Sequence, residues 1–380
     1  MLSAVLPCRV SAPVFPPFSD CKRDDGDCGT WLRPVGFSTM DNTSEAAGLM
    51  PLAGGWLGFT HLDLLQQQGE RYTVCRLAPQ QLLDAAALAG PAAAETCHAA
   101  LRQLTIRRPD FAGLSMEKPH IMGILNATPD SFSDGGVHYH AAHAISAGQT
   151  MLQQGASILD IGGESTRPGA EPVSRQEESR RIMPVISELA DTGAVISADT
   201  RHAETMQLAL EAGAMVINDV GGLRGHGVLQ VLEEAQASAV IMHMQGEPGT
   251  MQDNPQYGFA PAEIYDWLAG RLDAAVAAGI PRHRLAVDPG IGFGKTVRHN
   301  MQLMAWLSLF HGLGVPVLLG ASRKSTIGRL SCGEPAAERL PGSLSLATMA
   351  VAQGVQLVRV HDVAETAQSL AVTSALLAEC

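Results

Sequence analysis

From residue 119 onward the chain alternates eight times between a short apolar run of β-formers and a helical stretch. The apolar runs fall at 120–126, 157–162, 194–199, 215–220, 239–244, 284–289, 316–321 and 357–361, and helical stretches such as 175–191, 203–212, 262–278 and 363–378 follow them. A helix after each strand carries the chain back to the same end of the sheet, so successive strands run parallel. Runs of Val, Ile and Leu without polar alternation are what strands buried on both faces require. Eight such units in roughly 260 residues match a closed (β/α)8 barrel, with an open doubly wound sheet as the alternative.

Every one of these runs ends in polar residues. In chain order they are Asn126, Glu164-Ser-Thr-Arg167, Asp199-Thr200, Asn218-Asp219, His243, Asp288, Ser322-Arg-Lys-Ser325, and Arg359 with His361. In a barrel the C-terminal strand ends converge on one mouth, where active sites are built. The turns back into the strands, such as Glu211-Ala-Gly213 and Gly354-Val-Gln356, are short and plain. One strand-end Asp alone reads equally well as a helix N-cap. A polar residue at all eight ends points to a site. The first end is the richest: Gly123 to Gly136 passes from an apolar strand into a loop with Asn126, Thr128, two serines, Asp130 and Asp134, a set suited to holding a metal-bound anion.

Upstream of Lys118-Pro119 the pattern differs. Residues 1–50 are rich in Pro, Gly, Asp and Cys without periodicity and read as a disordered or extended leader, with Met40 and Met50 as alternative starts. Residues 51–117 read as a small α+β extension, with an apolar opening at Trp56 to Phe59, a strand-like Tyr72 to Leu77 and a helical run from Pro79 to Leu88. No catalytic constellation stands out there, so packing or assembly is the expected role. A net charge of -12, with no Lys/Arg cluster longer than two or three, argues against a nucleic-acid partner. No stretch of 18 uncharged apolar residues suggests a membrane span, and the N-terminus lacks the charged start of a secretory signal. Seven cysteines without a C-x-x-C pair fit a reducing cytoplasm rather than a disulfide framework or zinc site. Gly290-Ile-Gly-Phe-Gly-Lys-Thr296 ends like a nucleotide loop, but Pro289 stands where that motif requires glycine.

The polar strand ends also carry a family resemblance. Gly123-Ile-Leu-Asn-Ala-Thr-Pro-Asp-Ser-Phe-Ser-Asp-Gly135, Asp160-Ile-Gly-Gly-Glu-Ser-Thr-Arg-Pro-Gly-Ala170, Ile217-Asn-Asp219, His243-Met-Gln-Gly246, Asp288-Pro-Gly-Ile-Gly-Phe-Gly-Lys295, Ser322-Arg-Lys-Ser325 and Arg359-Val-His-Asp362 follow one another in that order. In these motifs residues from about 118 to 380 resemble the dihydropteroate synthases, folate-pathway enzymes that join a pterin pyrophosphate to p-aminobenzoate. The resemblance implies a pterin-binding TIM barrel, Mg²⁺ as cofactor and a homodimer. One departure is Asp199-Thr-Arg-His-Ala-Glu204, where the family more often has Lys-Pro after Asp-Thr; Asp199 stays in place and the loop after it is left unassigned.

Chemistry and resemblance together distribute the roles. A pterin presents N–H groups along one edge of a flat apolar ring, so its pocket needs carboxylate and amide acceptors in an apolar surround. The resemblance assigns Asp199, Asn218 and Asp288 to that edge, Lys324 to the acceptor side of the ring, and Met242 to an apolar contact. A departing pyrophosphate needs positive charge, which Arg167, Arg359 and His361 supply by resemblance, with Thr166 adding a hydroxyl and Asn126 holding Mg²⁺. Two loops, Thr128 to Gly136 and Ser165 to Ser174, are implied to close over p-aminobenzoate. There Phe132 and Pro168 form the slot, Ser325 meets the carboxylate, Phe293 lines the far wall and Asp134 approaches the metal or the cation. A pterin-binding methyltransferase barrel and a non-catalytic homologue are the competing classes. Ser322-Arg-Lys-Ser325 weighs against the first, and Asn126, Arg167, Lys324, Arg359 and His361 weigh against the second.

Overall fold

The computed structural model describes residues 28–40, 48–127, 137–164, 173–247 and 249–379. A four-stranded antiparallel sheet comes first. Strand β1 (Cys28–Thr39) pairs with one side of β3 (Leu57–Gln68), while β2 (Met50–Pro51) and β4 (Arg71–Leu77) pair with the other. Helices α1 (Pro79–Ala89) and α2 (Pro91–Thr105) both open on proline, whose missing N–H is not needed in a first turn. They bury Leu82, Ala86, Cys97, Leu101 and Leu104 against Leu32, Leu57, Phe59, Leu62 and Leu64 of the sheet.

Over 28–39, strand β1 departs from the reading of residues 1–50 as a disordered or extended leader, while 1–27 and 41–47 lie outside the described residues. Two residues disguise it. Pro34 cannot donate to a ladder, but β1 lies at the sheet edge, where proline is tolerated. Gly36 has a φ of 71°, and the pairing steps over it, from Val35 opposite His61 to Phe37 opposite Phe59. A loop-like pair in the sequence is thus an edge proline and a local irregularity in a twelve-residue strand.

The barrel follows. Its strands are β5 (His120–Asn126), β6 (Ile158–Gly162), β7 (Val195–Asp199), β8 (Val216–Asp219), β9 (Ser238–Met242), β10 (Leu285–Asp288), β11 (Leu318–Leu319) and β12 (Leu357–Val360). They pair in parallel in the order β10-β9-β8-β7-β6-β5-β12-β11. A bridge between Val287 and Val317, with the Val287 N–H donating to Pro316 at 3.0 Å, joins the two ends of the sheet and closes the barrel. The open doubly wound alternative therefore falls. Outside lie α3 (Val137–Gln153), α4 (Arg175–Ala190), α5 (Ala203–Glu211), α6 (Val228–Glu234), α7 (Ala260–Ala277), α8 (Val297–Ala305), α9 (Ser325–Leu330), α10 (Leu340–Val351) and α11 (Val363–Leu377).

Period-two alternation divides each strand between two environments. Ile121, Leu125, Leu159, Ile161, Ile196, Ile217, Ile241, Val287 and Val358 pack outward into the helix layer. Met122, Ile158, Val195, Val216, Val240, Ala286, Leu318 and Leu357 form a separate apolar cluster with Phe111 and Met116, the layer that fills the lumen from below. Phe111 and Leu114 pair with each other in the segment that leads into β5, so the barrel floor is sealed by the chain just ahead of it. Two residues further along the strands, the inward positions turn polar: Asp160, Ser197, Asn218, Asp288 and Arg359.

The first sheet docks against the flank of the barrel. Arg108, 1% exposed, donates to the carbonyls of Gln103 and Ile106 at 2.8 Å and to the carbonyl of His311 at 2.7 Å. His311 lies in the 3-10 helix Leu307–Leu313, and the Ser308 hydroxyl of the same turn donates to Pro34 at 2.8 Å. Burial lowers the Arg108 pKa to about 10, so it remains charged at neutral pH. Replacing Arg108 with Met should cost about 2–4 kcal/mol in urea unfolding, because buried carbonyls lose their donor. A variant as stable as the wild type would show that the unit is held by apolar packing alone.

Candidate active site

Asp160 stands at the centre of the polar layer. Its carboxylate is fully buried in mid-strand β6, where it accepts from the Ser197 hydroxyl at 2.6 Å, the Asn218 amide at 3.0 Å and Arg359 Nε at 2.5 Å. The Arg359 guanidinium spans to a second carboxylate, with Nη2 donating to Asp199 Oδ2 at 2.7 Å. Parallel register explains the convergence. Asp160 pairs with Ser197 and Asp199 with Asn218, so inward residues of β6, β7 and β8 line up at two adjacent heights, and Arg359 reaches them from β12.

Asp288 ends β10 in the same layer. Its Oδ1 accepts the Gly290 N–H at 2.7 Å, and burial pushes its pKa up. A Cβ at Gly320 would stand 3.5 Å from Oδ2, so the missing side chain at the end of β11 keeps the lumen open beside this carboxylate. Lys324 lies over the Phe293 ring, with Nζ 3.9 Å from its centroid. Phe293 in turn clusters with Val220, Met242, Met244 and Met251, an apolar wall next to the polar layer. Asn126, half-buried, ends β5 opposite Gly162. His361 is held by Ser322, whose hydroxyl lies 3.0 Å from Nδ1 and accepts the His361 backbone N–H at 3.2 Å. In the tautomer in which that hydroxyl donates to Nδ1, Nε2 carries the ring proton as a donor. Ser325, exposed in the first turn of α9, stands beside Lys324.

The glycine-rich loop after β10 has a different purpose from a phosphate loop. Gly290 and Gly294 have φ of 70° and 61°, and a Cβ would stand 2.0 Å from the His243 carbonyl at the first and 2.4 Å from the Gln245 carbonyl at the second. Only glycine permits so close an approach of two backbones. Lys295, 2% exposed, fastens them: Nζ donates to His243 Nδ1 at 3.0 Å, to the His243 carbonyl at 3.3 Å and to the Phe293 carbonyl at 2.9 Å. Burial lowers the pKa of both His243 and Lys295, which keeps the imidazole neutral as the acceptor.

Asp199, Asn218, Met242, Asp288, Phe293, Lys324, Arg359 and His361 thus lie at the C-terminal ends of the barrel strands and in the loops that follow them. Phe132, Asp134, Thr166, Arg167 and Pro168 lie outside the described residues. Of the loop left unassigned by its departure from the family pattern, Arg201 pairs with Glu164 at 3.5 Å and Glu204 with Arg175 at 2.6 Å. Asp160 and Lys295 were not singled out. A charge in the middle of the apolar run Ser157 to Gly162 was the available signal for Asp160. Lys295 ends both the family motif that starts at Asp288 and the failed nucleotide motif, and neither gives it a role. Asp219 is structural, its two oxygens accepting the N–H groups of Gly221 at 2.6 Å and Leu223 at 2.8 Å.

Burial pushes the pKa of Asp199 up to about 7, against the pull of Arg359 and helped by Asp160. A carboxyl with a raised folded pKa adds stability below its ordinary value and loses it as pH rises through the folded value. The stability difference between wild type and Asp199→Asn should therefore fall across pH 4 to about 7 and level off above. Denaturant titrations at several pH values read this directly. A constant difference would mean that Asp199 is ionised throughout the range.

Comparison with known proteins adds three findings. Residues 122–361 match the family described as pterin binding enzyme. The dihydropteroate synthase of Escherichia coli (strain K12) is 44% identical over 265 residues, 70% of this chain and 94% of that protein. Two solved structures of dihydropteroate synthase from Xanthomonas albilineans are similar to this chain. One, with 4-aminobenzoic acid, has a TM-score of 0.67 and 45% identity, covering 71% of this chain and 98% of that one. The other, in complex with 7,8-dihydropteroate, has a TM-score of 0.64 and 42% identity, covering 70% and 96%.

Proposed function

Because this chain belongs to the pterin-binding enzymes, and among them to the dihydropteroate synthases, it is a transferase, and we propose that its barrel mouth condenses 6-hydroxymethyl-7,8-dihydropterin pyrophosphate with p-aminobenzoate. The products are 7,8-dihydropteroate and pyrophosphate. The buried polar layer carries this reading: Asp199, Asn218 and Asp288 on three strands, above a sealed apolar floor and faced by Arg359 and Lys324. The ligands of the two Xanthomonas albilineans structures match one substrate and one product of the reaction.

The pterin edge donates to Asp199, to the Asn218 carbonyl oxygen and to Asp288, while Lys324 donates to the acceptor side and Met242 packs on the ring. Once a pterin N–H occupies Asp199 Oδ2, Arg359 Nη2 is released towards the departing anion while Asp160 still holds Nε. His361 Nε2 adds a second donor, aligned by Ser322. The methylene C–O bond breaks first, its electron pair leaving on pyrophosphate. The amine lone pair then forms the C–N bond, and the surplus amine proton is lost to solvent or the leaving group. A neutral arylamine needs no strong base, so positioning and charge stabilisation carry the rate.

Mg²⁺ fits the donors at the mouth. Among the described residues no three His, Cys, Asp or Glu side chains gather to hold a metal, and Mg²⁺ usually takes one or two protein oxygens with phosphate and water completing its shell. Asn126 together with substrate phosphate oxygens would hold it, and it would neutralise charge on the departing pyrophosphate.

Two measurements test this reading. Asp288→Ala should weaken pterin pyrophosphate binding in calorimetry by about 2–4 kcal/mol, the scale of an unpaired buried charge-assisted bond. Unchanged affinity would reduce Asp288 to a cap for Gly290. In addition, p-aminobenzoate should bind poorly to the free protein and about 1–3 kcal/mol more tightly once pyrophosphate and Mg²⁺ are present, since the first ligand relieves the ordering cost of the second. Equal affinity in both conditions would refute sequential binding.

A further inference from the structure

We propose that the N-terminal sheet braces the active-site wall, with Tyr72 and Trp31 as positioning residues that act through Phe259 and Tyr257. The inference rests on the reading of the mouth as a pterin site. Yet it concerns a segment outside the region matched by the family, residues 122–361.

The sheet stands along α7 and reaches its upper end. Trp31 Nε1 donates to Asp266 of α7 at 2.9 Å, and Trp31, Leu65, Ala262 and Leu309 share one buried cluster. Above this, aromatic rings run from the sheet to the rim. Trp31 lies 6.4 Å from Tyr72, Tyr72 lies 5.4 Å from Phe259, and Phe259 meets Trp306 edge-on at 5.1 Å. Arg33 of β1 covers the other side of that junction, 4.5 Å from the Trp306 ring. Phe259 is the residue immediately ahead of α7, and a Cβ at Gly258 would stand 3.8 Å from the Tyr72 hydroxyl. The entry into α7 is therefore pressed from outside by the sheet.

The same entry is tied inward to the pocket. The Tyr257 hydroxyl donates to the Gly294 carbonyl at 3.0 Å, and its ring packs edge-on against His299 at 4.9 Å and near His243 at 6.1 Å. Gln245 and Gln256 exchange two bonds across the base of the loop, at 3.1 and 3.2 Å, and Gln252 donates to the Gly292 carbonyl at 2.6 Å. These contacts set the segment from Gly290 to Lys295, which presents Phe293 to Lys324 and the Gly290 N–H to Asp288. The loop that leads to Phe259 is exposed midway, at Gln252 to Asn254, and where it enters α7 Phe259 meets the sheet through Tyr72.

The test uses the full chain. Tyr72→Ala should raise the KM for pterin pyrophosphate about fivefold with kcat changed less than about twofold, the size expected when a packed neighbour modulates a site it does not touch. Backbone amides of 249–259 and 290–296 should exchange about tenfold faster in the ligand-free protein. Tyr72→Phe keeps the ring and should behave as wild type. Phe259→Leu cuts the same contact from the barrel side and should reproduce the alanine result even if Tyr72→Ala fails to fold. Faster exchange with an unchanged KM, or no change in either, overturns the proposal. A wild-type protein that binds no pterin while exchange still responds to these variants would instead overturn the reading of the mouth and leave the brace standing.

Discussion

The architecture of the mouth depends on one buried cation shared by two carboxylates. Asp160 and Asp199 compensate the charge that Arg359 brings among the strand ends of an apolar barrel. Asp160 is also the hub that fixes the neutral side chains, Ser197 and Asn218, in the same layer. A network in which every member has a partner rigidifies its surroundings, and losing one partner strands the rest. The two carboxylates are unequal. Asp160 spends its acceptors on protein, whereas Asp199, nearer the rim, holds Arg359 by a single bond that a ligand N–H can replace.

A second fastening supports the first. Lys295 ties the end of β9 to the loop after β10, and Gly290 and Gly294 let the two backbones meet. The junction fixes the loop that carries Phe293 next to Asp288, and Lys324 reaches the same place by lying over the Phe293 ring. The Gly-x-Gly-x-Gly-Lys string is thus a device for packing main chain on main chain. Its resemblance to a nucleotide loop is confined to composition.

Most of the barrel was legible because burial on both faces writes itself as unbroken Val/Ile/Leu runs, and strand ends announced themselves as polar breaks. The closing strand β11 has only two residues and takes part of its pairing from a Gln356 side chain that accepts from Val317 at 2.9 Å, a substitution no periodicity reveals. Strand β1 was hidden by Pro34 and Gly36, because an edge strand may contain what a central strand may not. At the site, the residues proposed to face a ligand stand at strand ends. Asp160 does not, since it lies one inward step lower and its purpose is to hold Arg359, a partner 199 positions away. Spacing along a sequence carries no trace of such a pairing; only the register of eight strands brings it about.

In the proposed reaction Asp160 keeps Arg359 ready for the departing charge. Pyrophosphate release from 6-hydroxymethyl-7,8-dihydropterin pyrophosphate, followed with and without p-aminobenzoate, tests this most directly in wild type and Asp160→Asn. Release in the wild type should match the dihydropteroate formed when p-aminobenzoate is present. The Asn variant, folded by circular dichroism, should turn over about a hundredfold more slowly, the scale of a misplaced catalytic group. Wild-type turnover in Asp160→Asn would contradict the central role given to the buried Asp160–Arg359–Asp199 arrangement.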